Sequence, residues 1–309
     1  MRKAIAIAVT NLRKRYGEVE AVRGIDFEVA EGECFALLGP NGAGKTTTVE
    51  ILEGYRDRDA GEVEVLGFDP QRGGRDLRER VGIVLQSSGH FRELTVREVL
   101  GLFGAYYPRP RATGEVIDLV GLSEKAGARV KTLSGGQQRR LDLALGLVGD
   151  PDLLFLDEPT TGFDPSARRR SWELIENLRD LGKTILLTTH YMDEAQNLAD
   201  RVAILSAGRV VASGTPDSLG GRDEGEAVIA FRLPAGTTVA DLPPDLPGRP
   251  GPHEDRVQLR TTEPTRALHV LTTWALARGE ELDALTVTRP SLEDVYLQLT
   301  SAQEELTHA

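Results

Sequence analysis

The chain has 309 residues, of which 40% are apolar and 28% are charged. With a mean hydropathy of -0.26, this composition is that of an ordinary folded protein and excludes a collagen-like or largely disordered chain. The length exceeds what one hydrophobic core usually serves, so we expect one large domain and a smaller second one. A net charge of -11 argues against a general nucleic-acid binder, and any bound anion therefore needs a local, preorganised site.

Cysteine content and apolar runs narrow the class of protein further. Cys34 is the single cysteine, so the chain forms no internal disulfide, which fits a reducing compartment. The most apolar stretch, 141–156, is interrupted by three aspartates and is shorter than the roughly 18 to 20 residues of a membrane span. The apolar run 4–9 is too short for a signal-peptide core. If the protein serves a membrane, we expect it to do so from outside the bilayer.

The first 220 residues alternate short apolar runs with helical patterns. Several runs are continuously apolar, as strands covered on both faces are. This alternation predicts an α/β domain with a largely parallel central sheet. The predicted strands are residues 4–9, 25–29, 34–38, 61–65, 81–85, 153–156, 184–188 and 202–205.

A glycine-rich loop follows the predicted strand 34–38. The sequence of residues 39–47 matches the pattern G-x-x-x-x-G-K-[ST] between a strand and a helix. Glycines let the backbone wrap around a triphosphate with its N–H groups turned inward, and the following helix presents its positive N-terminal end. We expect Lys45 to reach the β and γ phosphates and Thr46 to place its hydroxyl on Mg²⁺. The residues assigned to this phosphate loop are Gly39, Pro40, Asn41, Gly42, Ala43, Gly44, Lys45, Thr46 and Thr47.

Between residues 87 and 150 the pattern becomes helical, which predicts an inserted helical subdomain. Thr95-Val-Arg-Glu98 has the spacing of a capping box and opens one helix. A second helix is predicted to begin at Ser134, whose two following glycines make its N-terminus an anion-binding arrangement. The apolar stripes of the two helices are Val96, Val99, Leu100, Phe103 and Tyr107, and Leu141, Ala144, Leu145 and Val148.

Two adjacent carboxylates, Asp157 and Glu158, end the apolar run 153–156. A buried strand delivers such side chains to the carboxyl edge of the sheet, beside the phosphate loop. There Asp157 can organise the shell of a magnesium ion, and Glu158 can polarise an attacking water. Alone, the pair would more often be a plain turn. Together with the phosphate loop, it predicts a site of nucleotide hydrolysis.

The charge and the proline content of the chain change after residue 220. Residues 221–309 hold 15 acidic and 8 basic residues, a net charge of -7, against -4 for residues 1–220. Residues 220–225 are predicted to be a linker, and 234–252, with six of the 16 prolines, a loop or irregular connection. A small α+β domain is predicted. Its elements are strands 227–233, 256–259 and 285–288, helix 265–277, and a final helix opened by Ser291-Leu-Glu-Asp294 with Leu292, Val295, Tyr296 and Leu299 on one face.

The sequence Leu133-Ser-Gly-Gly-Gln137 resembles the signature motif of the ATP-binding cassette (ABC) ATPases, and the match to that family covers about residues 4–220. The resemblance implies that this motif contacts the γ phosphate of an ATP bound by an opposite subunit. It also implies a phosphate-loop core with a mostly parallel sheet, an antiparallel N-terminal β portion and the helical insert at about 87–150. We therefore expect an ABC nucleotide-binding domain at 1–220 and an acidic accessory domain at 221–309. The assigned signature residues are Ser134, Gly135, Gly136 and Gln137.

The same resemblance implies roles for other residues. Tyr16 stacks on adenine, and Asp164 links the two sites across the dimer, although Asp164 before Pro165 is also the pattern of a helix cap. Gln86 touches magnesium and the attacking water and senses the membrane partner. His190 contacts the γ phosphate. The expected catalytic residues are Glu158, His190, Lys45 and Gln86, and the expected magnesium ligands are Thr46, Gln86 and Asp157.

Residues 90–98 and the tail 290–300 resemble the daunorubicin-resistance type of bacterial drug exporter. The resemblance implies an ATP-hydrolysing motor that forms a homodimer and works with a separately encoded transmembrane permease. It also implies a location at the cytoplasmic face of the cell membrane and a chain that is soluble when expressed alone. Its implied cargo is a drug, such as an antibiotic, or another amphiphilic compound. The tail has a second interpretation, as a packing helix of the acidic domain.

Two alternatives stay open. An ABC importer motor shares every catalytic motif, and only the tail favours export. A soluble, non-transport ABC ATPase fits the sequence less well. ABC translation factors carry two cassettes in one chain, whereas this chain has one. ABC proteins of DNA repair need long coiled coils, for which the gap between Gln86 and Ser134 leaves no room. Substrate contacts would lie in the membrane subunit, so this sequence does not identify the cargo.

Overall fold

The computed structural model describes residues 4–84, 91–219, 227–234, 236–253, 256–288 and 296. The chain divides into two compact units, Met1–Pro216 and Asp217–Ala309. The division falls directly after the last strand of the first unit, at a Thr-Pro pair.

An antiparallel sheet forms the N-terminal part of the first unit. Its strands β1 (Ile5–Tyr16), β2 (Val19–Ala30) and β4 (Ala60–Val65) lie in the order β2-β1-β4. Strand β1 is twice as long as the predicted 4–9, because residues of its basic second half pair with β2 up to the Tyr16–Val19 pair that closes the hairpin. The polar end of this strand faces solvent, which local hydrophobicity alone does not identify as strand.

A six-stranded sheet forms the centre of the same unit. Its strand order is β5-β6-β7-β3-β8-β9, and all pairings are parallel except that of β8 with β9. Strands β3 and β7 are buried throughout, which explains their continuous apolar character. The half-exposed edge strand β9 carries no such pattern and was not predicted. The strands are β3 (Cys34–Leu38), β5 (Val81–Val84), β6 (Leu153–Asp157), β7 (Thr184–Thr189), β8 (Arg201–Ser206) and β9 (Arg209–Gly214).

Helices connect these strands, and three of them belong to the predicted insert. The capping box predicted at Thr95 is present, and the helix predicted to begin at Ser134 also starts with a capping box, formed by Ser134 and Gln137. The predicted stripe of the first insert helix is wrong at Tyr107, because that helix ends at Gly104 and prolines follow at 108 and 110. The helices are α1 (Lys45–Leu52), α2 (Gly74–Arg80), α3 (Val96–Gly104), α4 (Thr113–Leu119), α5 (Gly135–Leu147), α6 (Pro165–Asp180) and α7 (Met192–Leu198).

The second unit is a small α+β domain, as predicted. Strands β10 (Ala227–Phe231), β11 (Arg249–His253), β12 (Arg256–Thr261) and β13 (Thr286–Thr288) form an antiparallel sheet in the order β11-β12-β10-β13. Helix α8 (Pro264–Ala277) shares a hydrophobic core with it. The buried residues of this core are Ile229, Phe231, Leu242, Val257, Leu259, Ala267, Leu271, Trp274 and Ala275.

The prediction of irregular structure through 234–252 is wrong at its end, where β11 begins. This strand includes Pro250 and Pro252 and lies at the edge of the sheet, where the missing proline N–H groups need no partner on the outer side. The predicted linker 220–225 and the first turn of the predicted final helix lie outside the described residues.

Candidate functional site

The phosphate loop joins β3 to α1, and two of its glycines sit where a side chain would collide with backbone. A Cβ atom on Gly39 would lie 2.4 Å from the carbonyl oxygen of Leu205, and one on Gly44 would lie 2.6 Å from that of Ala21. Gly44 also has a φ of 103° and occupies the N-cap of α1. Because glycine has no capping side chain, the N-terminal N–H groups of this helix are left for an anion.

Lys45 is buried and folded back onto this loop. Its Nζ donates to the carbonyl oxygens of Gly39 (2.8 Å) and Pro40 (3.2 Å) and lies 3.8 Å from Oε1 of Glu158. Burial lowers the pKa of the Lys45 amine, and the negative charges of Glu158 and Asp157 oppose that shift. These contacts hold the ammonium group in place beside the Glu158 carboxylate.

A cavity of about 430 Å³ opens over the loop. Its lining includes Tyr16, Glu158 and the β8–β9 turn at Gly208. The Tyr16 ring is 39% exposed, with the Arg56 guanidinium 5.4 Å and the Lys14 amine 5.6 Å from its centre. An exposed aromatic face at the rim of a phosphate-binding cavity suits the stacking of a nucleotide base.

The predicted carboxylates emerge at the end of β6, next to β7. Thr188 on β7 donates its hydroxyl to Oδ1 of Asp157 (2.6 Å), and the same hydroxyl accepts the backbone N–H of Glu158 (3.0 Å). Glu158 has a φ of 45°, in the left-handed region that is unfavourable for a residue with a side chain. Such strain persists only where the surroundings enforce it, and it is frequent at functional sites.

Arg139 supplies a second constraint on this backbone. It lies on α5, is 7% exposed, and donates to the carbonyl oxygens of Pro159 (3.1 Å), Asp157 (3.1 Å) and Glu158 (3.5 Å). Burial lowers the pKa of its guanidinium, against the charges of neighbouring carboxylates. The helix that begins with the signature motif thus also holds the backbone of the two carboxylates.

His190 follows β7 and completes the group around Glu158. Its Nδ1 lies 3.3 Å from Oε1 of Glu158, and Thr161 donates its hydroxyl to Oε2 of the same carboxylate (3.1 Å). Lys45, Glu158 and His190, which are far apart in sequence, therefore converge at one end of the central sheet. An amine, a carboxylate and an imidazole beside a phosphate loop can bind the terminal phosphate of a nucleotide and orient a water.

The signature motif lies elsewhere. Ser134 is exposed and forms the N-cap of α5, its N–H donating to Oε1 of Gln137 (3.0 Å) while its hydroxyl accepts the Gln137 N–H (3.4 Å). Within the described chain, the lining of the nucleotide cavity does not include residues 133–137. The signature motif and the phosphate loop of one chain therefore do not share a cavity.

Asp164 and Gln86 complete the predicted positions. Asp164 is exposed and caps α6, accepting the backbone N–H groups of Ser166 and Ala167 at 2.9 Å each. These hydrogen bonds, led by that of Ala167, lower the pKa of its carboxyl. The helix-cap interpretation is thus confirmed for this chain. Gln86 lies outside the described residues.

The oxygen donors near the phosphate loop suit magnesium. Thr46 lines the cavity and Asp157 ends β6, and a hydroxyl and a carboxylate are oxygen ligands of the type that Mg²⁺ prefers. In the part of the chain that is described, no three His, Cys, Asp or Glu side chains cluster as a metal site.

Sequence reasoning missed Thr188 and Arg139. Thr188 belongs to a pair of threonines that end a buried strand, and two hydroxyls at the carboxyl end of a parallel strand are a usable signal. Arg139 had no local signal, because its partners are backbone carbonyl groups about 20 residues away.

Comparison with known proteins agrees with this geometry. Residues 22–161 match the family described as ABC transporter, and residues 227–291 match the C-terminal domain of ABC transporter domain-containing protein-like chains. The Nod factor export ATP-binding protein I of Sinorhizobium fredii is 40% identical over 97% of this chain and 87% of its own length. The daunorubicin resistance ATP-binding protein DrrA3 of Streptomyces coeruleorubidus is 39% identical over 98% of each chain.

Solved structures show the same cassette. CbiO1 of Clostridium perfringens, part of an ABC transporter complex, has a TM-score of 0.65 at 29% identity, covering 72% of this chain and 93% of that one. A dimeric ATP-binding cassette in a post-hydrolysis state with ADP and Pi has a TM-score of 0.61 at 25% identity, covering 68% and 98%.

The fold and the phosphate loop define a nucleotide-binding ATPase of the phosphate-loop class. The chain belongs to the ABC transporter family and is the ATPase subunit of an exporter. In the described residues, no helix combines the length and the apolar character that crossing a membrane requires.

Proposed function

We propose that this chain hydrolyses Mg²⁺-bound ATP as a homodimer and thereby drives export of a drug or another amphiphilic compound through a separately encoded transmembrane permease. The convergence of Lys45, Glu158 and His190 at the phosphate loop carries this proposal. Relatives that are 39–40% identical along nearly the whole chain are named for daunorubicin resistance and Nod factor export, which supports an amphiphilic cargo.

The residues divide the hydrolytic work among them. Residues 39–47 and Lys45 hold the phosphates, and Tyr16 stacks on the base. Glu158 orients the attacking water and accepts its hydrogen bond, while His190 contacts the γ phosphate. Mg²⁺, when bound, neutralises charge on the phosphates. Its proposed protein ligands are Thr46, Gln86 and Asp157.

The exposed signature motif supports the two-chain arrangement. One chain offers one phosphate loop and one signature motif, and these do not share a cavity. A dimer with twofold symmetry closes two cavities at once, with Ser134, Gly135, Gly136 and Gln137 of one chain facing the nucleotide of the other. Asp164, exposed at the start of α6, is placed by this proposal at the contact between the two sites. A dimeric cassette among the solved relatives supports a two-chain assembly.

Purification of the tagged chain from cells in mild detergent tests the transport assignment. We expect a membrane protein to co-purify, and the chain to be found at the cytoplasmic face of the membrane. Recovery of soluble partners alone would contradict the exporter and favour a soluble ABC ATPase. Transport assays with inside-out vesicles then separate export from import, because an exporter accumulates the compound inside such vesicles when ATP is added outside.

A further inference from the structure

Glu194 is an ionisable side chain that the proposed reaction leaves unused. It lies in the first turn of α7 and is completely buried. Its Oε1 accepts hydrogen bonds from the hydroxyl of Thr160 (2.8 Å) and from Nε1 of Trp172 (3.3 Å). Burial raises the pKa of the Glu194 carboxyl, although hydrogen bonds with Thr189, Thr160 and Trp172 and the charge of Arg168 oppose the rise. Burying a carboxyl group is costly, because the group loses its hydrogen bonds to water and regains them only through such contacts. An apolar side chain could fill the same space without this cost.

The hydrogen bond between Thr160 and Glu194 joins the two segments that carry the proposed chemistry. Thr160 is also fully buried and follows Glu158 by two residues, in the loop between β6 and α6. Glu194 follows His190 by four residues. The bond therefore ties the loop after the water-orienting carboxylate to the helix after the phosphate-contacting histidine.

The backbone of Glu158 needs such support. Its φ of 45° is unfavourable, and Thr188 and Arg139 constrain the chain at Asp157, Glu158 and Pro159. Beyond those residues, the first buried side-chain contact of the loop is that of Thr160 with Glu194. Oε1 of Glu158 meanwhile lies 3.3 Å from Nδ1 of His190, so a small shift of either segment changes this spacing.

We infer that Glu194 is a positioning residue that, through its hydrogen bond with Thr160, sets the spacing of Glu158 and His190 and so controls the rate of ATP hydrolysis. The inference rests on the roles proposed above for Glu158 and His190. A displacement of about 1 Å at a catalytic group costs about 10²-fold in rate in unfavourable cases, so loss of this one bond is expected to lower kcat about tenfold without weakening ATP binding.

Matched substitutions at Thr160 test the bond directly. Thr160→Val keeps the shape of the side chain and removes the hydroxyl, whereas Thr160→Ser keeps the hydroxyl. We expect Thr160→Val to lower kcat about tenfold with KM for ATP within about twofold, and Thr160→Ser to restore most of the rate. Thermal unfolding of both variants reports the folded fraction. Wild-type kcat in Thr160→Val, or equal losses in the two variants, would overturn the inference.

Substitutions at Glu194 test the other partner. Glu194→Gln keeps an acceptor oxygen and should keep kcat close to the wild-type value. Glu194→Met removes the bonds with both Thr160 and Trp172 and should lower kcat at least as much as Thr160→Val does. Adding Thr160→Val to Glu194→Met should lower kcat no further, because Glu194→Met already removes the bond with Thr160. Additive losses, or a kcat that falls in proportion to the folded fraction, would show a purely structural role. A Glu158→Gln protein with unchanged turnover would instead refute the proposed function itself.

Discussion

The phosphate loop and the signature motif are both anion-binding helix N-termini, yet the folded chain treats them differently. Around the loop, Lys45 is buried, Glu158 is held in a strained conformation, and both already contact one another. The signature serine is exposed, and its neighbours are those of its own capping box. The difference teaches that the contacts around the phosphate loop are already formed within one folded chain. In the proposed dimer, the half-site offered to a partner would need only a well-capped helix, since the partner's nucleotide would supply the remaining contacts.

Glu158→Gln should break the preassembled half-site most severely. We expect turnover to fall by about 10² or more, because the water loses its proton acceptor, while ATP binding persists. Phosphate release and equilibrium ATP binding measure the two effects. Glu173→Gln, an exposed change on α6, is the matched control and should hydrolyse ATP normally. Gel filtration of Glu158→Gln should show a dimer with saturating ATP and Mg²⁺, and persistent monomers would count against the two-chain site.

Glycine-to-alanine substitutions should affect stability differently at the phosphate loop and at the signature motif. In Gly44→Ala, the new Cβ atom would lie 2.6 Å from a backbone oxygen, and the φ of 103° would be strained for alanine. We therefore expect a loss of about 1–3 kcal/mol in stability, together with loss of ATP binding. Gly136 on α5 has a helical position and open space around its Cβ, so Gly136→Ala should leave the unfolding temperature of the monomer undiminished. Thermal unfolding decides the point, and equal destabilisation of the two variants would contradict this contrast.

Two substitutions of Ser134 should distinguish its role in capping α5 from its proposed contact with a phosphate. Ser134→Ala removes the N-cap of α5 and should cost about 1 kcal/mol of stability. Ser134→Asp keeps a capping side chain and should keep that stability, but its negative charge should repel the phosphate of the opposite subunit and lower turnover. Thr95→Ala, which removes the matching cap of α3, controls for helix capping alone and should leave the ATPase rate unchanged. Normal turnover in Ser134→Asp would exclude a phosphate near this motif.

Asp164 should give the smallest effect, visible as a pH dependence. Its hydrogen bonds to the start of α6 lower the pKa of the folded carboxyl, so its contribution to stability is present above its ordinary pKa of about 4 and is lost as the pH falls through the lowered value. Asp164→Asn keeps a capping oxygen that does not titrate in this range. The difference in unfolding temperature between the two proteins should therefore change only at acidic pH. A difference that stays constant with pH would contradict the proposed capping role of the charge.

The sequence predicted the structure best where a motif lies within a single helix, strand or loop. The loop 39–47, the capping box at Thr95, the helix start at Ser134, and the apolar strands β3, β6 and β7 were predicted from local patterns and are present. It failed for the edge strand β9 and the proline-containing edge strand β11, because their pairing depends on neighbours rather than on their own apolar pattern. The helix stripe failed at Tyr107, where glycine and proline end the helix.

The amino-acid sequence by itself determined the chemistry available to this protein: a phosphate loop, two carboxylates at a strand end, and a signature serine at a helix start. Tertiary structure decided how these groups are held. Thr188, Arg139 and Glu194 form hydrogen bonds with residues 18 to 34 positions away, and the sequence does not say which residues these partners are. Their positions follow from strand order and helix packing, because a hydrogen bond depends on distance and direction in space, and a linear pattern records neither.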